Sequence, residues 1–250
     1  MAMADWFGQS DFDIRHEWGR DGARRVAARG DVAVIVDVLR FSTTVVAAVA
    51  NGWQIRPCAS EQEVVESSLR GEIADGRNAA AALSPLDYRQ QASVTPPPVV
   101  ALQSLNGATC SRIQGAALVI AGALVNATAA GKYLEKRVMD GARVTVVSCG
   151  ERWEESGADG PLRFAMEDYI GAGAIISAIR RGRKSPEALA CEGAFLAVHD
   201  RLPEVLESCG SGIELANKGR IEDVKFAARL DSISVVPGLA GGIYVRWSGE

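Results

Sequence analysis

The segment DVAVIVDVLRFSTT, Asp31 to Thr44, constrains this chain most. Five consecutive apolar and mostly β-branched residues, Val32 to Val36, end in a carboxylate and lead to Arg40, Ser42, Thr43 and Thr44. An apolar run without alternation is a strand buried on both faces, and the hydroxyl residues after it start a helix. Where such a strand stops, the sheet opens a crevice, and the first turn of the next helix offers unpaired backbone N–H groups and a positive dipole end. An anion fits there. Asp37 has the chemistry to hold a divalent cation, Arg40 to fork onto phosphate or sulfonate oxygens, and the three hydroxyls to complete the cradle. The competing reading is structural: Ser42 or Thr43 caps the helix, and Asp37 pairs with Arg40.

Composition narrows the class. With 250 residues, 48% hydrophobic and 23% charged, the chain can bury a large core, and its length suits one α/β domain spanning residues 1–250. The net charge of -4 and the scatter of the 27 basic residues argue against a nucleic-acid footprint. No apolar stretch reaches the roughly 20 residues that cross a bilayer, and Met1 to Ser10 lacks the pattern of a signal peptide, so a cytoplasmic protein is expected without membrane partners. Five cysteines without a C-x-x-C pair read as reduced thiols.

Along the chain, residues 15–28 read as helical. Strand signals then recur at 32–36, 55–59, 99–103, 117–121 and 144–148, with helical patterns at 41–50, 61–69, 108–114 and 126–139 between them. This alternation predicts a largely parallel sheet covered on both faces. Residues 75–98, with Pro85 and the run Pro96-Pro97-Pro98, break the rhythm and read as a long surface excursion over the crevice. Helical patterns follow at 164–181, 186–207, 213–218 and 222–229, before strands at 233–236 and 243–247.

Several of these strands end in small polar words: Ser104-Leu105-Asn106-Gly107, Gly122 to Asn126, and Ser148-Cys149-Gly150-Glu151-Arg152. In a parallel sheet such ends gather on one edge. Asn106 and Gly107 supply an amide and an unhindered N–H, whereas Asn126 reads as a helix N-cap. Glu167 and Asp168 begin an otherwise apolar helix and need a partner, magnesium or an arginine. Gly171 and Gly173 in that helix read as a close-packing face. Other chemistries fail on spacing. His16 and His199 form no zinc pattern and read as surface or capping residues; no cysteine is followed by an arginine at phosphatase-loop spacing; position 39 is Leu where a covalent aspartyl phosphatase places a second Asp. Cys149, lacking a histidine partner, reads as structural.

The ordered words DVLRFSTT, ALSP, SLNGA, AGALVNA, CGERW, EDYIGAGAI and DVKFAARLD resemble the 2-phosphosulfolactate phosphatase family over residues 10–237. The resemblance implies a three-layer α/β/α fold and a magnesium-dependent hydrolase that cleaves (R)-2-phospho-3-sulfolactate to sulfolactate and phosphate, a step of coenzyme M synthesis. It places the metal on Asp37, Glu167 and Asp168. The expected catalytic set is Asp37, Arg40, Asn106 and Glu167, with Arg40, Ser42, Thr43, Thr44, Ser104, Asn106, Gly107 and Gly150 expected to bind substrate. Whether Asp37 attacks or orients a water stays open. Gly219 and Asp223 match the last word, and a homo-oligomer is expected. The chain departs from the family at Ala82-Leu83, at Ser104-Leu105 and near Ile213, where many members carry Gly-Asn, Thr-Thr and an Arg. Those departures favour a rival reading, a catalytically weakened anion-binding or sensor protein on the same fold.

Overall fold

The structure, a computed structural model, describes residues 6–74, 83–92, 95–153 and 160–247. Its frame is a nine-stranded sheet built from β1 (Ile14–Trp18), β2 (Val32–Val36), β3 (Gln54–Cys58), β4 (Ile73–Ala74), β5 (Val99–Gln103), β6 (Leu118–Ala121), β7 (Val144–Ser148), β10 (Pro237–Ala240) and β11 (Ile243–Arg246). A separate two-stranded ribbon joins β8 (Glu151–Arg152) to β9 (Leu162–Arg163). The strand order is β1-β7-β2-β6-β10-β11-β3-β5-β4. Two parallel blocks, β1-β7-β2-β6 and β3-β5-β4, are joined by the hairpin β10–β11, which pairs antiparallel with β6 on one side and β3 on the other.

The side-chain alternation of β2 explains the three layers. Val32, Val34 and Val36 enter one core, while Ala33 and Ile35 enter the other. On the first face lie α5 (Ala127–Met139), α6 (Met166–Ala178) and α7 (Pro186–Leu196), followed by α8 (Leu202–Ser208), α9 (Gly210–Asn217) and α10 (Ile221–Ala227). On the other lie α1 (Gly19–Arg29), α2 (Phe41–Ala50) and α4 (Gly107–Ser111), while α3 (Glu61–Leu69) precedes β4. Gly173 lets α6 approach the backbone of Cys191 in α7 more closely than any side chain would allow, which is the packing role expected of it. Among the described residues no helix is long and apolar enough to cross a membrane.

Three expectations are corrected. Residues 14–18 form strand β1 rather than the start of a helix, because Arg15 finds a buried partner in Asp31 and the strand pairs in parallel with β7. Residues 233–236 form no strand, and the strand begins at Pro237. The helix expected over 186–207 is broken between Leu196 and Leu202 by the turn His199–Arg201. Of the excursion expected over 75–98, residues 75–82 and 93–94 lie outside the described residues. Its described part includes the turn Pro85–Tyr88, whose Tyr88 ring packs edge-on to Trp53.

Candidate active site

Asp37 follows β2 directly and is held by neutral donors. Its Oδ1 accepts the Phe41 N–H at 3.0 Å; Oδ2 accepts the Gly107 N–H at 2.9 Å and the Ser104 hydroxyl at 3.3 Å. Gly107 is required for this approach, since a Cβ there would run into the Phe41 ring and lie 2.7 Å from Asp37 Oδ2. Burial pushes the Asp37 carboxyl above the usual range, the Glu167 charge adds to the push, and the three donors oppose it.

The ends of β2 and β7 are tied together by Asp168, in the first turn of α6. Its Oδ1 accepts the Val38 N–H at 2.7 Å and its Oδ2 the Gly150 N–H at 2.9 Å. Gly150 adopts φ +67, and a Cβ there would sit 2.6 Å from a Leu162 methyl. Burial, then the charges of Asp37 and Glu167, raise the Asp168 carboxyl well above its ordinary value. Glu167 is itself buried and lies against the Cys209 thiol, which burial and that carboxylate push up to about 12.

A fourth carboxylate completes the group. Glu151 opens β8, accepts the Asn106 side-chain amide at 2.9 Å, and is pushed up to about 7 by burial and then by Asp37 and Glu167, with Arg163 pulling the other way. Glu151, Asp37, Arg40 and Asn106 face a cavity of about 290 Å³, whose apolar wall is Leu39, Leu83 and Leu105. Arg40 donates Nη1 to Asp223 Oδ2 at 2.6 Å, and the Ser84 hydroxyl donates to Asp223 Oδ1 at 2.5 Å.

The structure therefore brings Asp37, Arg40, Ser104 and Asn106 to one cavity, with Glu167, Asp168 and Gly150 immediately behind it, and it corrects other expected roles. Ser42, Thr43 and Thr44 are fully buried, and their hydroxyls serve the main chain: Ser42 donates to Ile35 O, Thr43 to Val38 O, and Thr44 to Arg40 O and Leu83 O. They hold the turn rather than cradle a ligand. The Gly107 and Gly150 N–H groups are likewise spent on Asp37 and Asp168. Asp37 does not pair with Arg40, whose partner is Asp223. Asn126 stands at the N-cap position of Ala127–Met139, but its side chain does not cap that helix; its Oδ1 accepts the Ala123 N–H and its Nδ2 donates to Val235 O. His16 is buried, bonded to Ser148 Oγ and packed on Trp18 and Tyr169, and burial pushes it down to about 4.

The sequence reading passed over Glu151, Ser84 and Asp223 as site residues. Glu151 had a signal, its place just past a strand end at Gly150. Asp223 was marked only by its match to the last family word, without a role, because its partner Arg40 lies 183 positions away.

Buried carboxylates that raise one another, with hard oxygen donors, fit a magnesium ion in chemistry. Among the described residues no three histidine, cysteine or acidic side chains form a metal cage. That arrangement suits an ion taken by one or two carboxylates and completed by water and substrate oxygens. Fold and crevice together define an α/β protein with a polar crevice at the carboxyl ends of its strands. The family model for 2-phosphosulpholactate phosphatase matches residues 23–242, and the chain belongs to that family of phosphoric monoester hydrolases. Relatives named probable 2-phosphosulfolactate phosphatase include one from Carboxydothermus hydrogenoformans, 31% identical over 222 residues, 84% of this chain and 87% of the relative. Another, from Thermotoga maritima, is 28% identical over 221 residues, 85% of this chain and 91% of that one. A third, from Gloeobacter violaceus, is 27% identical over 228 residues, 86% and 92% of the two chains.

Proposed function

We propose that this phosphatase is magnesium-dependent and hydrolyses 2-phospho-3-sulfolactate, or a closely related small phosphorylated acid, to the hydroxy acid and phosphate. One observation carries the reading: Arg40 and the carboxylates of Asp37 and Glu151 line one cavity at the strand ends, with Glu167 behind them. Asp37, Glu151 and Glu167 would hold the ion, directly or through water. Bound there, magnesium supplies a Lewis acid that neutralises charge on the transferring phosphoryl group.

The chain's own groups supply position and electrostatics. Arg40 offers a planar fork that matches phosphate oxygens. Asn106 orients Glu151 through its amide, and the Phe41 and Gly107 N–H groups hold Asp37 in one rotamer. Asp168 keeps the β2 and β7 ends at fixed separation, so these groups do not reorganise during the reaction. Cys149 takes no part: burial and the neighbouring Cys110, Asp37 and Asp168 hold its thiol neutral.

The leucines at 83 and 105 in the cavity wall favour a second reading, a binding protein with weakened catalysis. A panel of phosphorylated three-carbon acids, assayed for phosphate release with magnesium and with chelator, separates the two. The enzyme reading expects metal-stimulated release that needs Asp37. Tight binding without release from any ester would establish the binding protein instead.

A further inference from the structure

Asp223 does not line the cavity, yet it is buried at 1% exposure and grips two segments that do. Its Oδ2 takes Nη1 of Arg40 and its Oδ1 the hydroxyl of Ser84, next to Leu83. The same segment is held a second time by Thr44, whose hydroxyl donates to the Leu83 carbonyl at 2.6 Å. One carboxylate on α10 thus anchors both the guanidinium and the segment that carries the apolar wall. A buried ion pair adds little stability over an apolar pair of the same volume, so stability alone is a poor account of a charge pair placed at a cavity edge. An arginine side chain has many rotamers, and a fixed carboxylate on one nitrogen removes most of them before an anion arrives.

We propose that Asp223, itself held by the Ser84 hydroxyl, is a positioning residue that pre-sets Arg40 for a phosphoryl group in the crevice; the proposal rests on the phosphatase reading above. Asp223 acts through Arg40, so removing it must cost nothing once Arg40 is gone.

Inorganic phosphate is the probe, titrated by calorimetry in the presence of magnesium against the whole chain and against D223N, S84A, R40A and the double variant R40A/D223N. D223N is expected to weaken phosphate binding about tenfold or more and to raise KM by a similar factor with kcat much less changed, as lost preorganised binding does. S84A should weaken it about two- to fivefold. In the R40A background neither substitution should weaken binding further. The proposal is overturned if D223N binds phosphate as tightly as the parent, or if D223N or S84A costs as much without Arg40 as with it. Where D223N does not fold, S84A and R40A/S84A carry the same comparison, and equal losses from S84A in both backgrounds overturn it. If the parent binds phosphate, loses it on D223N and yet hydrolyses no ester, the catalytic reading falls while the positioning role stands; if the parent binds no phosphate, both fall.

Discussion

Strand β2 carries an aspartate beyond each end, and the two are buried alike but answered differently. Asp31, before the strand, is met by Arg15 Nη1 at 3.0 Å, Arg29 Nε at 3.2 Å and the Thr145 hydroxyl at 2.7 Å, while Arg29 also reaches Glu17. Asp37, after the strand, is met only by neutral donors among its described hydrogen bonds, and its charged neighbour Glu167 is of the same sign. The first charge is compensated by the fold. The second is left for something that is not part of the chain, and this difference separates a structural ion network from a site more reliably than burial does.

Substitutions at the two aspartates should therefore fail in opposite ways. Asp37→Asn is expected to lower magnesium-stimulated turnover about 10³-fold, about 4 kcal/mol of barrier, while cooperative unfolding persists. Phosphate-release kinetics beside a urea melt tests it: full activity at low magnesium would make Asp37 no metal-binding group. Asp31→Ala should do the reverse. It strands the buried Arg15, while Arg29 keeps Glu17, and is expected to cost about 3–5 kcal/mol in urea unfolding, with KM of the remaining folded protein unchanged. A loss of activity without loss of stability there would dissolve the contrast.

The pH dependence of the metal-free protein sharpens it. Glu151 is raised from 4.5 to about 7, so the folded chain binds more protons than the unfolded one between those values, and stability falls as pH rises through that window. Glu151→Gln should flatten the fall by about 1–3 kcal/mol, seen in thermal melts from pH 5 to pH 8. Magnesium should flatten it in the parent too, and a slope untouched by either change would show that Glu151 is not the group titrating. The smallest effect is expected at Cys149→Ala: about 1 kcal/mol of packing and nearly full turnover. Loss of turnover in a well-folded variant would instead make the thiol a nucleophile.

Much of the frame was legible because its signal is local. The runs at 32–36, 99–103 and 144–148 and the helices at 41–50 and 61–69 fall where the apolar pattern and caps put them. Strand β1 was not legible, since IRHEW carries three polar side chains and becomes a strand only by pairing with β7 and burying Arg15 on Asp31. The same divide runs through the site. Asp37, Asn106 and Glu167 were visible as polar groups at the ends of apolar elements, while the hydroxyls of Ser42, Thr43 and Thr44, read as a cradle, are spent on main-chain carbonyls four to seven residues back and, for Thr44, on Leu83 as well.

What the amino-acid order determined by itself was where each strand stops and which polar groups stand there, because hydrophobic period and capping act over a few residues. Which of those groups would be compensated was decided only in three dimensions. Asp31 and Asp37 sit six positions apart in similar surroundings of sequence, and Arg40 finds its carboxylate 183 residues on, since the field at a buried charge is set by whatever the packed layers bring within a few ångströms and not by what precedes or follows it in the chain.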